Sequence, residues 1–88
     1  MNYIDRRGKK LIFNSSGLKL VFSKKQVILL QHMMMAYSAA EIAQRLHRSK
    51  RTIEGHVEQF KNKLNCASKA EVIRWAISSG FPHHIDWS

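Results

Sequence analysis

Two helical patterns separated by a short polar break occupy residues 38–64, which read SAAEIAQRLHRSKRTIEGHVEQFKNKL. In the first pattern, Ser38 and Glu41 have the spacing of a capping box, in which each side chain accepts a hydrogen bond from the other residue's backbone amide. Apolar residues then recur at helical spacing until the pattern breaks at residues 47–48. Ser49 is placed to cap a second helix. The segment therefore predicts two helices joined by a tight turn.

The second helix of the pair, residues 50–64, has two faces of opposite character. At about 100° per residue, one face gathers the apolar side chains Ile53, Val57, Phe60 and Leu64. The opposite face is polar and comprises Arg51, Gly55, Glu58, Gln59 and Asn62, with Glu54 and Lys61 at one edge. A short helix, a tight turn and a second helix of this kind form the geometry of a DNA-reading helix-turn-helix.

Two further helices flank this segment. Ser23 is placed to cap a helix over about residues 24–35. The apolar positions of that helix at helical spacing are Val27, Ile28, Leu30, Met34 and Met35. On the other side, Ser68 with Glu71 at the third helical position forms a second capping box. The fourth helix that starts there is expected to end at Gly80, because a glycine followed by an apolar residue and a proline is typical of a helix C-terminus.

The N-terminal part of the chain has the pattern of strands. Residues 11–22 contain two strand-like runs around Asn14-Ser15-Ser16-Gly17, which predicts a β-hairpin. We therefore predict an all-α, four-helix fold with a short N-terminal β-hairpin. The expected organisation is a basic segment over residues 1–22, either hairpin or interdomain tether, a helix-turn-helix domain over residues 23–81, and a tail over residues 82–88.

Basic side chains concentrate in two blocks. Residues 1–25 hold seven Lys and Arg against Asp5, and residues 44–64 hold six against two glutamates. A formal net charge of +9 on 88 residues points to a polyanionic partner, either nucleic acid or an acidic membrane surface. The first block is equally explained as a solvated surface. The second block lies on the helix-turn-helix pattern, which favours nucleic acid.

Other classes of function lack the features they require. No apolar run reaches the roughly 18 residues of a membrane span, and the N-terminus lacks the hydrophobic region of a signal peptide. The lone Cys66 closes no intramolecular disulfide, and no ligand spacing for a metal is present. Neither a Ser/His/Asp set nor a Gly-rich phosphate loop occurs. We expect a cytoplasmic protein that is not an enzyme, with no cofactor and no membrane partner.

The fourth helix has more apolar surface than one core contact requires. Its first stripe consists of Ala70, Ile73 and Ile77, and its second stripe consists of Val72, Trp75 and Ala76. A second apolar stripe on so small a domain suggests a partner surface. We therefore expect a homodimer through this helix, with the second stripe as the interface. The alternative is that the hairpin or the tail over residues 81–87 covers Trp75.

Residues 22–81 resemble the LuxR-type (GerE-like) helix-turn-helix domain of bacterial transcription regulators. The matching residues are Ser38, Glu41, Ile42, Ala43, Leu46, Ser49, Thr52, Ile53, His56, Lys63, Leu64, Ala70, Glu71, Arg74, Trp75 and Ala76. The resemblance implies four helices, with the third in the major groove of DNA and the fourth commonly used for dimerisation. Departures from the family pattern include Gln26 in place of an acidic residue and Ala36 in place of a glycine.

The resemblance also assigns roles on the third helix. It implies contacts with DNA bases at Glu54, Gly55 and Glu58, and contacts with the DNA backbone at Lys50, Arg51 and Thr52. Combined with the facial analysis, the expected base-reading residues are Arg51, Glu54, Gly55, Glu58, Gln59 and Asn62. The expected phosphate contacts are Arg45, Arg48, Ser49, Lys50, Thr52 and Lys61.

The resulting hypothesis is sequence-specific binding of double-stranded DNA by a bacterial transcription regulator. Two alternatives belong to other classes. A sigma-factor-like promoter module would use a related helix-turn-helix and would also bind RNA polymerase. A protein-interaction domain would use the surface at Val72 and Trp75, with DNA binding lost, and the carboxylates of Glu54 and Glu58 on the reading face favour that alternative.

Overall fold

The computed structural model describes residues 2–15, 17–85 and 87. Three strands, β1 Asn2–Ile4, β2 Lys10–Ser15 and β3 Leu18–Ser23, precede four helices. The helices are α1 Lys24–Met34, α2 Ala39–Leu46, α3 Lys50–Leu64 and α4 Lys69–Ser78. The predicted four-helix fold with an N-terminal hairpin is confirmed. Among the described residues, no helix has the length and apolar character that would let it cross a membrane.

The hairpin is part of a three-stranded antiparallel sheet in the order β1-β2-β3. In β2 and β3, Lys10 pairs with Ser23 and Leu11 pairs with Phe22. Gly17 has a φ of +80° in the connecting turn, while the predicted turn residue Ser16 lies outside the described residues. Strand β1 was not predicted, because a strand of three residues is too short to show a period of two.

The sheet and all four helices share one core. Leu11, Phe13 and Phe22 from the sheet lie in the same buried cluster as residues of every helix. The helical members of this cluster are Val27, Leu29, Leu30, Met33, Ile42, Ala43, Ile53, Val57, Phe60, Val72 and Ala76, and Phe81 joins from the chain after α4. Because the sheet and the helices both contribute apolar side chains, this short chain has a larger core than its helices alone would form.

The buried face of α1 differs from the predicted one. Leu29 and Met33 are fully buried, whereas Met34 is only partly buried and Met35 is 56% exposed. Helix α1 ends at Met34, and Ala36 then adopts a φ of +66°. Met35 therefore lies just after the last residue of α1 and is not part of the apolar face of that helix. The left-handed Ala36 then turns the chain away from the axis of α1.

The start of α4 has only half of the predicted capping box. The Ser68 hydroxyl accepts a hydrogen bond from the Glu71 N–H at 3.2 Å, as predicted. The Glu71 carboxylate accepts from the Ala67 N–H at 2.6 Å, one residue before the expected donor. At the other end, α4 stops at Ser78 and Gly80 adopts a φ of +79°. The predicted termination by a glycine is therefore confirmed to within two residues.

The second apolar stripe of α4 faces the chain's own core. Val72 and Ala76 have no exposed surface. The ring centroid of Trp75 lies 5.6 Å from that of Phe13 and 6.2 Å from that of Phe81. The expectation that Val72, Trp75 and Ala76 form an exposed dimer surface is therefore wrong, because Val72 and Ala76 are buried where α4 packs against α1 and α3, and Trp75 packs against Phe13 of the sheet and Phe81 after α4.

Candidate nucleic-acid interface

Helix α2 is fixed at its start by the predicted capping box. The Ser38 hydroxyl accepts a hydrogen bond from the Glu41 backbone N–H at 3.1 Å, and the Glu41 carboxylate accepts one from the Ser38 N–H at 2.9 Å. The hydrogen bond from the Ser38 N–H stabilises the charged carboxylate and lowers the pKa of Glu41. The buried residues Ile42 and Ala43 then hold α2 against the core. The capping box and these buried residues therefore fix the position of α2, and with it the start of the turn that follows.

The turn between α2 and α3 is short and closed by backbone and hydroxyl contacts. His47 adopts a left-handed conformation with a φ of 54°, and the Arg48 N–H donates to the Ala43 carbonyl at 2.9 Å. Ser49 caps α3, because its hydroxyl accepts from the Thr52 N–H at 3.1 Å. The Ser49 and Thr52 hydroxyls also lie 2.8 Å apart. The start of α3 is thus held in a fixed orientation relative to α2.

Helix α3 divides into the two predicted faces. Ile53, Val57 and Phe60 are buried, and Leu64 is partly buried at the end of the same stripe. The predicted base-reading residues are all exposed: Arg51, Glu54, Gly55, Glu58, Gln59 and Asn62. A Cβ atom added to Gly55 would meet no atom within 4 Å, so the backbone is open to a partner at this point. The outer face of α3 is therefore exposed to solvent along its length.

The carboxylates on this face have different surroundings. Glu58 forms an ion pair with Lys61 one turn along α3. Glu54 and Glu58 also border a surface depression together with Ala39 and Lys69. An exposed pair of this kind contributes little to stability, because water screens it, and its two partners separate at low cost. Lys61 therefore offsets the negative charge of Glu58, and both side chains remain available to a ligand.

The phosphate candidates lie at both ends of the helix-turn-helix. The Arg45 guanidinium stacks 4.1 Å from the centroid of the Tyr37 ring, which orients it at the end of α2. Arg48 and Lys50 are exposed at the turn, whereas Lys61 lies near the far end of α3. Since a helix rises about 1.5 Å per residue, Lys61 is about 16 Å along the axis from Lys50. The structure therefore spreads these cations along α3 and does not gather them at one point.

Two residues at this interface were not singled out from the sequence. Tyr37 orients Arg45, and Lys25 of α1 lines a cavity of about 150 Å³ together with Arg48 and His56. Lys25 belonged to the N-terminal basic block, but its distance in sequence from the helix-turn-helix concealed its proximity. Within the described part of the chain, no group of three His, Cys, Asp or Glu side chains is placed to hold a metal ion.

Comparison with known proteins places this geometry in a family. The pattern described as "Bacterial regulatory proteins, luxR family" matches residues 20–76. The chain belongs to the LuxR family. The family is a class of DNA-binding domains of transcription regulators and not a class of enzymes. The match starts within β3, so β1, β2 and the turn between them lie outside the matched residues of this LuxR-family domain.

Individual relatives share the same region. The transcriptional regulatory protein ComA of Bacillus subtilis (strain 168) is 37% identical over 60 residues, which cover 68% of this chain and 28% of ComA. The oxygen regulatory protein NreC of Staphylococcus carnosus (strain TM300) is 33% identical over 57 residues, or 65% of this chain and 26% of NreC. This LuxR-family chain thus spans less than a third of either relative.

A solved structure has the same fold. The crystal structure of the phage VqmA-DPO complex superposes with a TM-score of 0.66 at 31% sequence identity. The similarity covers 73% of this chain and 29% of that protein. The LuxR-family fold is therefore supported by three-dimensional similarity as well as by sequence.

Proposed function

We propose that the chain binds double-stranded DNA in a sequence-specific manner, as part of a bacterial transcription regulator, with α3 in the major groove. The observation that carries the proposal is the continuous exposed polar face of α3 on a helix whose other face is locked into the core. The major groove is about 12 Å wide and admits an α-helix. Membership of the LuxR family supports the same function.

The proposed contacts divide into two classes. Phosphates would be bound by Arg45, Arg48, Ser49, Lys50, Thr52 and Lys61, which supplies affinity and sets the position of α3. Bases would be read by Arg51, Glu54, Gly55, Glu58, Gln59 and Asn62. A carboxylate accepts a hydrogen bond from cytosine N4, so Glu54 and Glu58 favour sites with cytosine opposite them. The ion pair with Lys61 keeps the Glu58 carboxylate from facing the phosphates uncompensated.

We also propose a homodimer through α4, using a different surface from the buried stripe. Ile77 is 58% exposed and Ala70 is exposed on the same side of α4, while Ile73 between them is partly buried. The family resemblance supports use of this helix for dimerisation. Two subunits would then read half-sites about one helical turn apart. A complex of one duplex with two chains, measured by analytical ultracentrifugation, is the expected stoichiometry.

Paired variants test the proposed contacts. Arg51→Ala should weaken binding to all duplexes, since the family resemblance gives Arg51, at the start of α3, a contact with the DNA backbone in addition to its proposed contact with bases. Glu58→Ala should instead change sequence preference, because it removes an acceptor for cytosine N4. Selection of bound duplexes from a random pool, followed by fluorescence anisotropy, measures both effects. Equal losses on every sequence from both variants would contradict this division of roles.

Salt dependence provides an independent test. If each subunit of a dimer neutralises about four phosphates, log K should fall with log salt concentration at a slope near −7. A slope shallower than about −2 would contradict a phosphate-binding surface of this size.

Copurification of the chain with RNA polymerase, without affinity for free duplex, would instead favour the promoter-module alternative.

A further inference from the structure

The turn between β1 and β2 carries a dense set of cations outside the family match. Residues 5–10, here called the basic turn, contain Arg6, Arg7, Lys9 and Lys10, and all four are exposed. The LuxR-family match starts at residue 20, so these cations lie outside the residues that the family shares. Neither the helix-turn-helix nor the sheet's own pairing requires four basic side chains at this turn.

The basic turn is internally fixed by Asp5. The Asp5 carboxylate accepts hydrogen bonds from the Lys9 N–H at 2.9 Å and the Lys10 N–H at 3.2 Å. The Asp5 carbonyl accepts a third from the Gly8 N–H at 3.0 Å, and Gly8 adopts a φ of +67°. The one acidic side chain of the turn is thus directed inward to backbone amides. The four exposed charged side chains of the turn are all basic.

The basic turn is also docked against the start of α1. The Lys24 N–H donates to the Lys9 carbonyl at 3.2 Å. Gly8 also packs closely against the Trp87 carbonyl, since a Cβ atom at Gly8 would lie only 2.9 Å from that oxygen. The Lys24 ammonium lies 5.6 Å from the centroid of the Trp87 ring. These contacts hold the turn in one position relative to the helices, so its cations are presented without a large loss of backbone entropy.

The start of α1 connects the basic turn to the helix-turn-helix. Lys25 follows Lys24 and lines the same cavity as Arg48 and His56, at the turn before α3. The remaining lining residues are Ile28, Leu29, Leu46 and Ile53, so no carboxylate borders this cavity. A positive surface therefore runs from the basic turn, through Lys24 and Lys25, to the proposed phosphate contact Arg48.

We propose that the basic turn, together with Lys24 and Lys25, forms a second phosphate-binding surface that extends the contact with the same DNA duplex beyond the groove occupied by α3. This inference rests on the proposed function, since α3 must first position the domain on DNA. The contact adds affinity without sequence preference, because phosphates carry no base information. DNA suits this surface because its charges recur every 1.7 Å or so along the helix axis, which matches an extended row of cations.

The test compares two double variants with equal loss of charge. Arg6→Gln/Arg7→Gln removes two cations from the basic turn, whereas Lys19→Gln/Arg74→Gln removes two exposed cations from β3 and α4. Binding to a 30-base-pair duplex of random sequence is measured by fluorescence anisotropy at several salt concentrations. We expect the first variant to bind about tenfold more weakly than the control, with a salt slope shallower by about 2 per bound subunit. Arg6→Lys/Arg7→Lys retains the charge and should restore both values.

Failure of the inference is distinct from failure of the proposed function. If the unmodified chain does not bind duplex DNA, both are wrong. If Arg51→Ala abolishes binding while Arg6→Gln/Arg7→Gln matches its control, the inference alone is wrong. Sedimentation with phosphatidylglycerol vesicles examines an acidic membrane as the partner. Loss of vesicle binding in Arg6→Gln/Arg7→Gln, with DNA affinity equal to the control, would also overturn the inference.

Discussion

At the scale of single residues, Ala36 shows a conflict between side chain and backbone. It adopts a φ of +66°, a left-handed conformation in which a Cβ atom crowds the backbone. The family pattern that the chain resembles has glycine here, so the alanine keeps the bend after α1 at an energetic cost. Its neighbouring contacts, including the Ala36 N–H to the Met33 carbonyl at 3.0 Å, hold the strained conformation in place.

Ala36→Gly should therefore stabilise the protein. Removing the left-handed strain is expected to raise the free energy of unfolding by roughly 0.5–1 kcal/mol. The matched control is Ala40→Gly, the same change in the first turn of α2, where it should lower stability because glycine is a poor helix former. Urea unfolding followed by circular dichroism measures both. Shifts of the same sign would contradict the assignment of strain to Ala36.

Gly55 presents the opposite situation, a glycine where the backbone does not need one. It lies inside α3 with ordinary helical geometry, and a Cβ atom there would have no atom within 4 Å other than those of the adjacent backbone of α3. Two explanations remain from the sequence: tolerance on an exposed face, or close approach of the backbone to DNA. Because a side chain at residue 55 would fit without a clash inside the protein, a substitution there can distinguish the two explanations.

Gly55→Ala should increase stability and decrease DNA affinity. Alanine in a helix interior is favoured over glycine by about 1 kcal/mol, while the added methyl group would separate α3 from the groove floor. We expect thermal unfolding at a higher temperature and DNA binding at least several-fold weaker. Gln44→Gly, at an exposed position of α2 to which no DNA contact is assigned, serves as a control that lowers stability without adding bulk to the DNA-facing surface. Undiminished DNA affinity in Gly55→Ala would mean that the glycine is merely tolerated.

At the scale of secondary-structure elements, Phe22 joins the sheet to two helices. Its ring centroid lies 6.4 Å from that of Phe60 in α3 and 6.2 Å from that of Trp75 in α4. The Lys63 ammonium lies 4.9 Å from the same ring and donates to the Val21 carbonyl. Partial burial at this contact lowers the pKa of Lys63. The end of α3 is thus fastened to β3, while its start is held by the turn after α2.

Phe22→Ala should unfold the domain or bring it close to unfolding. Loss of a fully buried phenylalanine costs about 3–5 kcal/mol, comparable to the total stability of a small domain. Tyr3→Ala on the exposed side of β1 is the control and should change stability by less than about 0.5 kcal/mol. Calorimetry or urea unfolding distinguishes them. A cooperative transition in Phe22→Ala at the unmodified midpoint would contradict the central position of this ring.

At the scale of the whole molecule, the sheet belongs to the same core as the helices. The family match begins at residue 20, yet Leu11 and Phe13 are buried against the helical residues. Phe13 packs edge-on against Trp75 and lies 5.5 Å from Phe81 between ring centroids. The helices that carry the proposed DNA contacts therefore depend on strands outside the matched region for part of their apolar covering.

Deletion of residues 1–17 should abolish cooperative folding. The shortened chain would lose the packing of Phe13 on Trp75 and the apolar burial that Leu11 and Phe13 provide. We expect a broad, non-cooperative thermal transition and association of the exposed surface at micromolar concentration. Near-ultraviolet circular dichroism and light scattering measure these effects. A monomeric deletion variant with an unmodified unfolding temperature would show that the sheet is dispensable.

The amino-acid sequence by itself determines the local features of this protein. The caps at Ser38 and Ser49, the bounds of α3 and the exposure of Gly55 depend on residues within about four positions of each other, so periodicity and spacing predict them correctly. Only the tertiary structure decides which apolar stripe of α4 is buried and that Lys25 lies beside the helix-turn-helix. Both depend on how the sheet and α1 dock against residues distant in sequence. The local sequence does not distinguish the two apolar stripes of α4 from each other, nor Lys25 from the other basic residues of the N-terminal block.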